Sequence, residues 1–132
     1  MRLFVYGTLK PGECNYGYCQ QQVIAAEAAI AFGALYALPL GYPAMTLGSS
    51  PVQGVLLSFA DAAVLEQLDQ LEDYCPSRPP EENEYNRAMI ETFSPVLHPL
   101  GRAWVYLMQP DLVKRLGGVL LTSGVWTGHT VQ

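Results

Sequence analysis

The chain is short of positive charge. It carries seven Lys and Arg against twelve Asp and Glu over 132 residues, a formal net charge of −5. Nucleic-acid binding draws on clustered basic side chains; the few here are scattered, so no nucleic-acid partner is expected. An acidic balance of this size reads first as solubility. Histidine is scarcer still: His98 and His129 both fall in late, loop-like segments, where a surface role is the expectation. Cys14, Cys19 and Cys75 form an odd set with no C-x-x-C pair. That supports neither a disulfide framework nor a zinc site, and suits reduced thiols in a cytoplasmic protein. Long hydrophobic runs are absent too. The longest uncharged apolar stretch, residues 28–40, falls short of the roughly 20 residues of a membrane span. Arg2 is followed by only four apolar residues before Gly7, too few for a secretory signal.

What is present is enough apolar sequence for one domain over residues 1–132, half of it hydrophobic and without a biased tract. Residues 2–6 read as a short β-rich strand, and 10–22 as a long ordered loop or a single helical turn. Residues 28–38 read as a strand, although their alanines leave a helix open. Three prolines and two glycines make 38–51 a loop. A strand follows at 52–59, with Gly54 a bulge or a point of close approach. Residues 61–74, DAAVLEQLDQLEDY, are the clearest helix, with Asp61 placed to cap it. The segment 75–83, CPSRPPEEN, is an exposed acidic loop. Residues 84–93 and 101–108 alternate as strands, and 111–116 carry a helical turn before a glycine break. This order predicts an α+β fold: a small, curled, barrel-like, mainly antiparallel sheet with one main packed helix.

Two features carry chemistry. With Leu65 set at zero and about 100° per residue, Leu68, Leu71 and Val64 fall near 300°, 240° and 260°. Glu72 falls at about 340°, inside that apolar arc, and Asp69 at about 40°, on its edge. A carboxylate on the core side is hydrogen-bonded, ion-paired or held in a cleft. Burial would raise its pKa towards neutrality, where it can move protons. The plainer alternatives are a frayed last turn, or pairing with Arg87 or Arg78.

The second feature is the turn Gly7-Thr8, directly after the first strand. It is either a tight turn that needs glycine for its backbone, or a nest of outward N–H groups that binds an anion without a charged side chain. It is not a P-loop, because Glu13-Cys14 stands where Lys-Ser/Thr is required.

Several motifs in order carry a resemblance. They are Val5-Tyr6-Gly7-Thr8-Leu9-Lys10-Pro11-Gly12 with Asn15, Gly41-Tyr42-Pro43-Ala44, and Val52-x-Gly54-x-Leu56. Then follow Leu68-Asp69-x-x-Glu72, Tyr85-x-Arg87, Ala103-x-Val105-Tyr106 and Ser123-Gly124-x-Trp126. Together they resemble the gamma-glutamyl cyclotransferase-like superfamily over nearly the whole chain. The resemblance implies that family's small barrel-like fold. It implies a γ-glutamyl small-molecule substrate cyclised to 5-oxoproline with release of the attached amine or amino acid. It also implies Glu72 as general acid/base, with the turn Tyr6, Gly7, Thr8 and Leu9 holding the glutamyl group. Asn15, Tyr42 and Tyr85 are candidate pocket residues, each equally readable as a turn or packing residue. Arg87 reads as a brace for Glu72 or Asp69, and Trp104 and Tyr106 as core. The nucleophile is the substrate's own amine, so no Ser/His or Cys/His pair, cofactor or metal is implied. The 75–83 loop is expected to rim the pocket and to disfavour an acidic leaving group, with Arg78 a partial offset. The rival readings are a non-catalytic member binding a glutamyl-like ligand in the same pocket, and a structural or interaction protein.

Overall fold

The computed structural model describes residues 1–128; the expectation for His129 falls outside them. Seven strands and two α-helices follow in chain order: β1 Arg2–Val5, β2 Val23–Ala37, β3 Pro43–Leu47, β4 Ser50–Phe59, α1 Val64–Leu71, β5 Asn86–Phe93, β6 Pro99–Leu107, α2 Pro110–Arg115 and β7 Val119–Leu120. The strands lie in the order β3-β2-β4-β1-β6-β5, with β2 also meeting β5 and β7. The β2–β5 contact, Ile30 opposite Phe93, closes the sheet on itself. All pairings are antiparallel except β1 with β6. This is the curled, mainly antiparallel α+β architecture that the sequence predicts.

The central strand is buried on both faces, and its side chains alternate between two cores. Leu3 and Val5 pack with Leu57, Phe59 and Tyr106 beneath α1, which contributes Val64 and Leu68. Phe4 and Tyr6 point the other way, to Ala31, Leu35, Met45, Leu56 and Val105. Helix α1 is shorter than predicted, and Asp61 accepts the Ala63 N–H at 2.9 Å in the turn that leads into it.

Two segments depart from expectation. Residues 43–47 form β3 rather than loop, paired with residues 33–37 at the end of β2. Pro43 opens that strand, the one position where its missing N–H disturbs no ladder. Strand β2 starts at Val23 rather than residue 28 because β4 pairs with it from Val23 to Gly33, which overrides the weak β preference of its alanines. Of the two readings of Gly54, close approach holds: it sits in regular register opposite Ala29, without a bulge. A Cβ there would lie 2.3 Å from the Val5 carbonyl oxygen and 2.7 Å from the Phe4 ring.

Gly54→Ala is therefore expected to cost about 2–4 kcal/mol, because the obstacle is backbone of the central strand. Gly17→Ala, whose Cβ would meet nothing within 4 Å, should stay within about 0.5 kcal/mol of wild type. Paired thermal melts check both, and equal Tm values would refute the close-approach reading.

Candidate active site

Helix α1 ends in a Schellman motif. Asp73 takes a left-handed conformation, φ 52°. Its N–H bonds Gln70 O at 3.2 Å, and the Tyr74 N–H reaches back to Asp69 O at 2.9 Å. Glu72 is thus the last residue before the chain turns away. It is half-buried on the wall of a cavity of about 360 Å³. The last turn does not fray. Among the described residues the Glu72 carboxylate makes no ion pair and no hydrogen bond: Arg78 pairs with Asp73 and Arg87 with Asp69. Burial first, and then the neighbouring Glu84 carboxylate, push its pKa up to about 7.

Asp69, one turn earlier, ties the helix to the sheet. Its Oδ1 accepts the Tyr106 hydroxyl at 2.7 Å and its Oδ2 an Arg87 Nη2 hydrogen at 3.3 Å. The Arg87 Nε also lies 3.0 Å from Oδ1. Its N–H is turned off that line, so this contact is one of charge. The guanidinium is stacked 4.5 Å over Trp104 and 5.5 Å over Tyr74. Arg87 is a brace for Asp69, not for Glu72.

The turn after β1 lines the same cavity. Lys10 N–H bonds Gly7 O at 3.0 Å, and Asn15 closes the loop twice, its N–H to Thr8 O at 2.8 Å and its Nδ2 to Thr8 Oγ1 at 3.0 Å. Among the described residues the amide N–H groups of Gly7, Thr8 and Leu9 make no hydrogen bond. Gly7 is not there for an unusual φ. A Cβ on it would lie 2.5 Å from the Pro43 ring, so glycine lets the turn pack against the start of β3.

All eight candidate residues, Tyr6, Gly7, Thr8, Leu9, Asn15, Tyr42, Glu72 and Tyr85, line this one cavity. Tyr6 donates to Tyr106 O at 2.6 Å and accepts the Met45 N–H at 3.2 Å. Tyr85 donates to Pro43 O at 2.6 Å, and Tyr42 to Glu84 Oε2 at 2.7 Å. Burial above all holds the hydroxyls of Tyr6, Tyr42, Tyr85 and Tyr106 above the ordinary tyrosine range, so they remain protonated donors. His98 is exposed in the loop before β6 and does not line the cavity.

Among the lining residues that sequence reasoning did not assign to the cavity, two bear on its chemistry. Tyr106, read as core, is buried but also reaches the cavity. Glu84, read only as the start of a strand, is a second carboxylate in it. The expected rim differs as well, since residues 75–83 do not line the cavity. Asn83 folds that segment back: its Oδ1 accepts from the Cys75 N–H and Arg78 Nε, and its Nδ2 donates to Cys75 O and Asn86 Oδ1. The Glu84 N–H then bonds Asp73 O at 3.2 Å, bringing Glu84 beside Glu72. Hairpin-like local signals cannot announce a closure of this length; the acidic residue after Asn83 was its only trace. A second hollow of about 390 Å³ includes Leu47, Tyr74 and Met108, and its one charged residue is the already paired Arg87.

The sequence profile of the gamma-glutamyl cyclotransferase, AIG2-like family matches residues 3–128. The chain belongs to that family. It is 38% identical over 125 residues to a Vibrio cholerae protein provisionally named gamma-glutamylcyclotransferase, covering 94% of this chain and 93% of the other. The solution structure of ytfP from Escherichia coli superposes with a TM-score of 0.63 at 30% identity, over 96% of each chain. A mouse AIG2-like protein superposes with a TM-score of 0.68 at 22% identity, over 98% of this chain and 89% of that one, a likeness of fold. No helix among the described residues is long and apolar enough to cross a membrane.

An acid raised on folding has a thermodynamic signature. The folded state keeps a Glu72 proton that the unfolded chain releases near the ordinary value of 4.5, so stability falls as pH rises from there to about 7. Glu72→Gln should match wild type near pH 4 and exceed it by about 1–2 kcal/mol at pH 8. Denaturant titrations at the two pH values check this, and a pH-independent difference would contradict the burial of the charge.

Proposed function

We propose that the protein is a γ-glutamyl cyclotransferase that closes a γ-glutamyl group to 5-oxoproline and expels the amine it was joined to. The observation that carries this is one juxtaposition. A carboxylate with no partner of its own and a pKa pushed up to about 7 shares a cavity with three uncommitted backbone amides.

In this reading the Gly7–Leu9 amides hold the anionic end of the glutamyl group. Glu72 removes a proton from the α-ammonium. The freed amine attacks the γ-carbonyl, forming the ring C–N bond, and the bond from the γ-carbon to the leaving nitrogen breaks. Glu72 returns that proton to the leaving nitrogen and passes on the second proton shed by the ring nitrogen, so two protons move between the nitrogens, the amine departs as an ammonium ion and no water is consumed. Because nucleophile and electrophile belong to one molecule, the site needs only to fold the substrate and exclude solvent. The protonated tyrosines, Tyr6 and Tyr85 among them, supply a wall that cannot compete for the proton. Reduced thiols fit a cytoplasmic setting.

The test is a panel of γ-glutamyl amides and dipeptides assayed for 5-oxoproline. Wild type should release it, with kcat/KM falling below pH about 7 as Glu72 becomes protonated. Glu72→Gln should lose about 10²–10⁴-fold in rate with the fold intact. Binding of glutamyl compounds without any release would instead make this a non-catalytic member of the family.

A further inference from the structure

No Lys, Arg or His among the described residues lines the cavity. The arginines that the sequence offers to Glu72 are committed elsewhere, Arg87 to Asp69, and Arg78 to Asp73 and Asn83. Arg78 therefore gives no offset within the cavity, contrary to the expectation from sequence. An anionic group that enters must be met by neutral donors, and the Gly7–Leu9 amides are uncommitted. Backbone donors bind well when their directions are fixed beforehand. What holds this turn thus sets how firmly the turn can hold a ligand.

The exit of the turn is tied to a distant part of the chain. Lys10 closes the turn through its N–H on Gly7 O, and its carbonyl accepts the Glu13 N–H at 3.0 Å. Its Nζ leaves the loop and donates to Trp126 O at 2.5 Å. Glu13 adds two bonds to the same segment, Oε1 accepting the Gly128 N–H at 3.1 Å and Oε2 the Thr127 hydroxyl at 3.3 Å. Residues 121–128 form a strap that is itself anchored in the sheet. The Leu121 N–H bonds Leu35 O in β2, and the Gln53 N–H in β4 bonds Gly124 O, both at 2.8 Å. Gly124 takes a φ of 72°, and a Cβ there would lie 2.3 Å from Pro51 O, so glycine lets the strap lie tight on β4. Trp126 is buried in the core that holds Phe4, Tyr6 and Val105. Its carbonyl is therefore a fixed point for the lysine. Neither Lys10 nor the Ser123-Gly124-x-Trp126 motif lines the cavity, and the reaction as written uses neither.

We propose that Lys10 is a positioning residue for the Gly7–Leu9 amides: by tying the exit of the turn to Trp126 O on the strap, it fixes the donors that hold the glutamyl end. This rests on the cyclotransferase reading for the identity of the ligand. A hydrogen bond from an ammonium group is stronger than one between neutral partners, which suits a single tether across the loop. The tether acts on binding and not on proton transfer, because Glu72 stands on α1 and is held through Asp69.

The test uses γ-glutamylalanine and γ-glutamylbutylamide, which share the glutamyl end and differ in the group expelled. Lys10→Met should raise KM for both by the same factor, about five- to tenfold, with kcat within about threefold of wild type. The pH at which kcat/KM falls should not move. Lys10→Arg, which keeps a charged donor, should bring KM back to within about threefold. A merely structural role would instead lower the folded fraction, and with it kcat, at unchanged KM. Glu13→Ala removes the other two bonds at a more exposed residue and should raise KM in the same sense; it carries the test if Lys10→Met does not fold. Calorimetry of both compounds on Glu72→Gln, with and without Lys10→Met, reads the same loss without turnover. Unchanged KM and affinity, or a change that differs between the two compounds, would overturn the tether and leave the cyclotransferase reading standing. Weakened binding in Lys10→Met with no 5-oxoproline from any protein would do the reverse. Neither binding nor turnover would overturn both.

Discussion

The site depends on how the Asp69 carboxylate is held. Two side chains that face each other across the β5–β6 ladder, Arg87 and Tyr106, both reach it, while its backbone oxygen receives the N–H that closes the helix end. One residue therefore joins the last turn of α1 to the sheet and also sets where the helix stops. A partly buried ion pair of this kind contributes little net stability, but losing one partner is costly, which favours a single docked arrangement. Glu72 lies three residues on, and its position follows from that docking.

Glu72 is the opposite case. It is taken from water and given no partner, an arrangement that lowers stability at neutral pH. The cost is tolerable because the cavity is open and the burial incomplete. Around it the tyrosine hydroxyls are spent on backbone carbonyls or carboxylates, and the amides of the Gly7–Leu9 turn are not. The division separates groups that shape the cavity from groups left available to a ligand.

Glu72 was legible in the sequence because helix periodicity is local: the angle between Leu65, Leu68 and Glu72 is set by a few residues of backbone. Asp69 fell on the edge of the same arc and proved to be the anchor, which only its partners from distant strands reveal. The motif order from Tyr6 to Tyr106 located the cavity wall, yet the reason for Gly7 lay at Pro43. Strand β3 was hidden by flanking proline and glycine. Strand β7 is two residues long and exists only through its pairing with β2. Glu84 was missed because a loop of ten residues had to close before it meant anything. What stayed hidden was set by sequence separation.

The pairing of β1 with β6 has a temporal side. Leu3 stands beside Trp104, and the Arg2 guanidinium reaches the carbonyls of Leu100 and Arg102. On a ribosome, the first strand to emerge must therefore wait for almost the last. Until β6 is out, β1 has a free edge, and Asp69 lacks its Tyr106 partner. Such a chain has high contact order, which slows folding and lengthens the exposure of an apolar strand. The Glu72 carboxylate comes into its enclosure only when the sheet closes, so incomplete chains would carry the lining residues without the cavity they form.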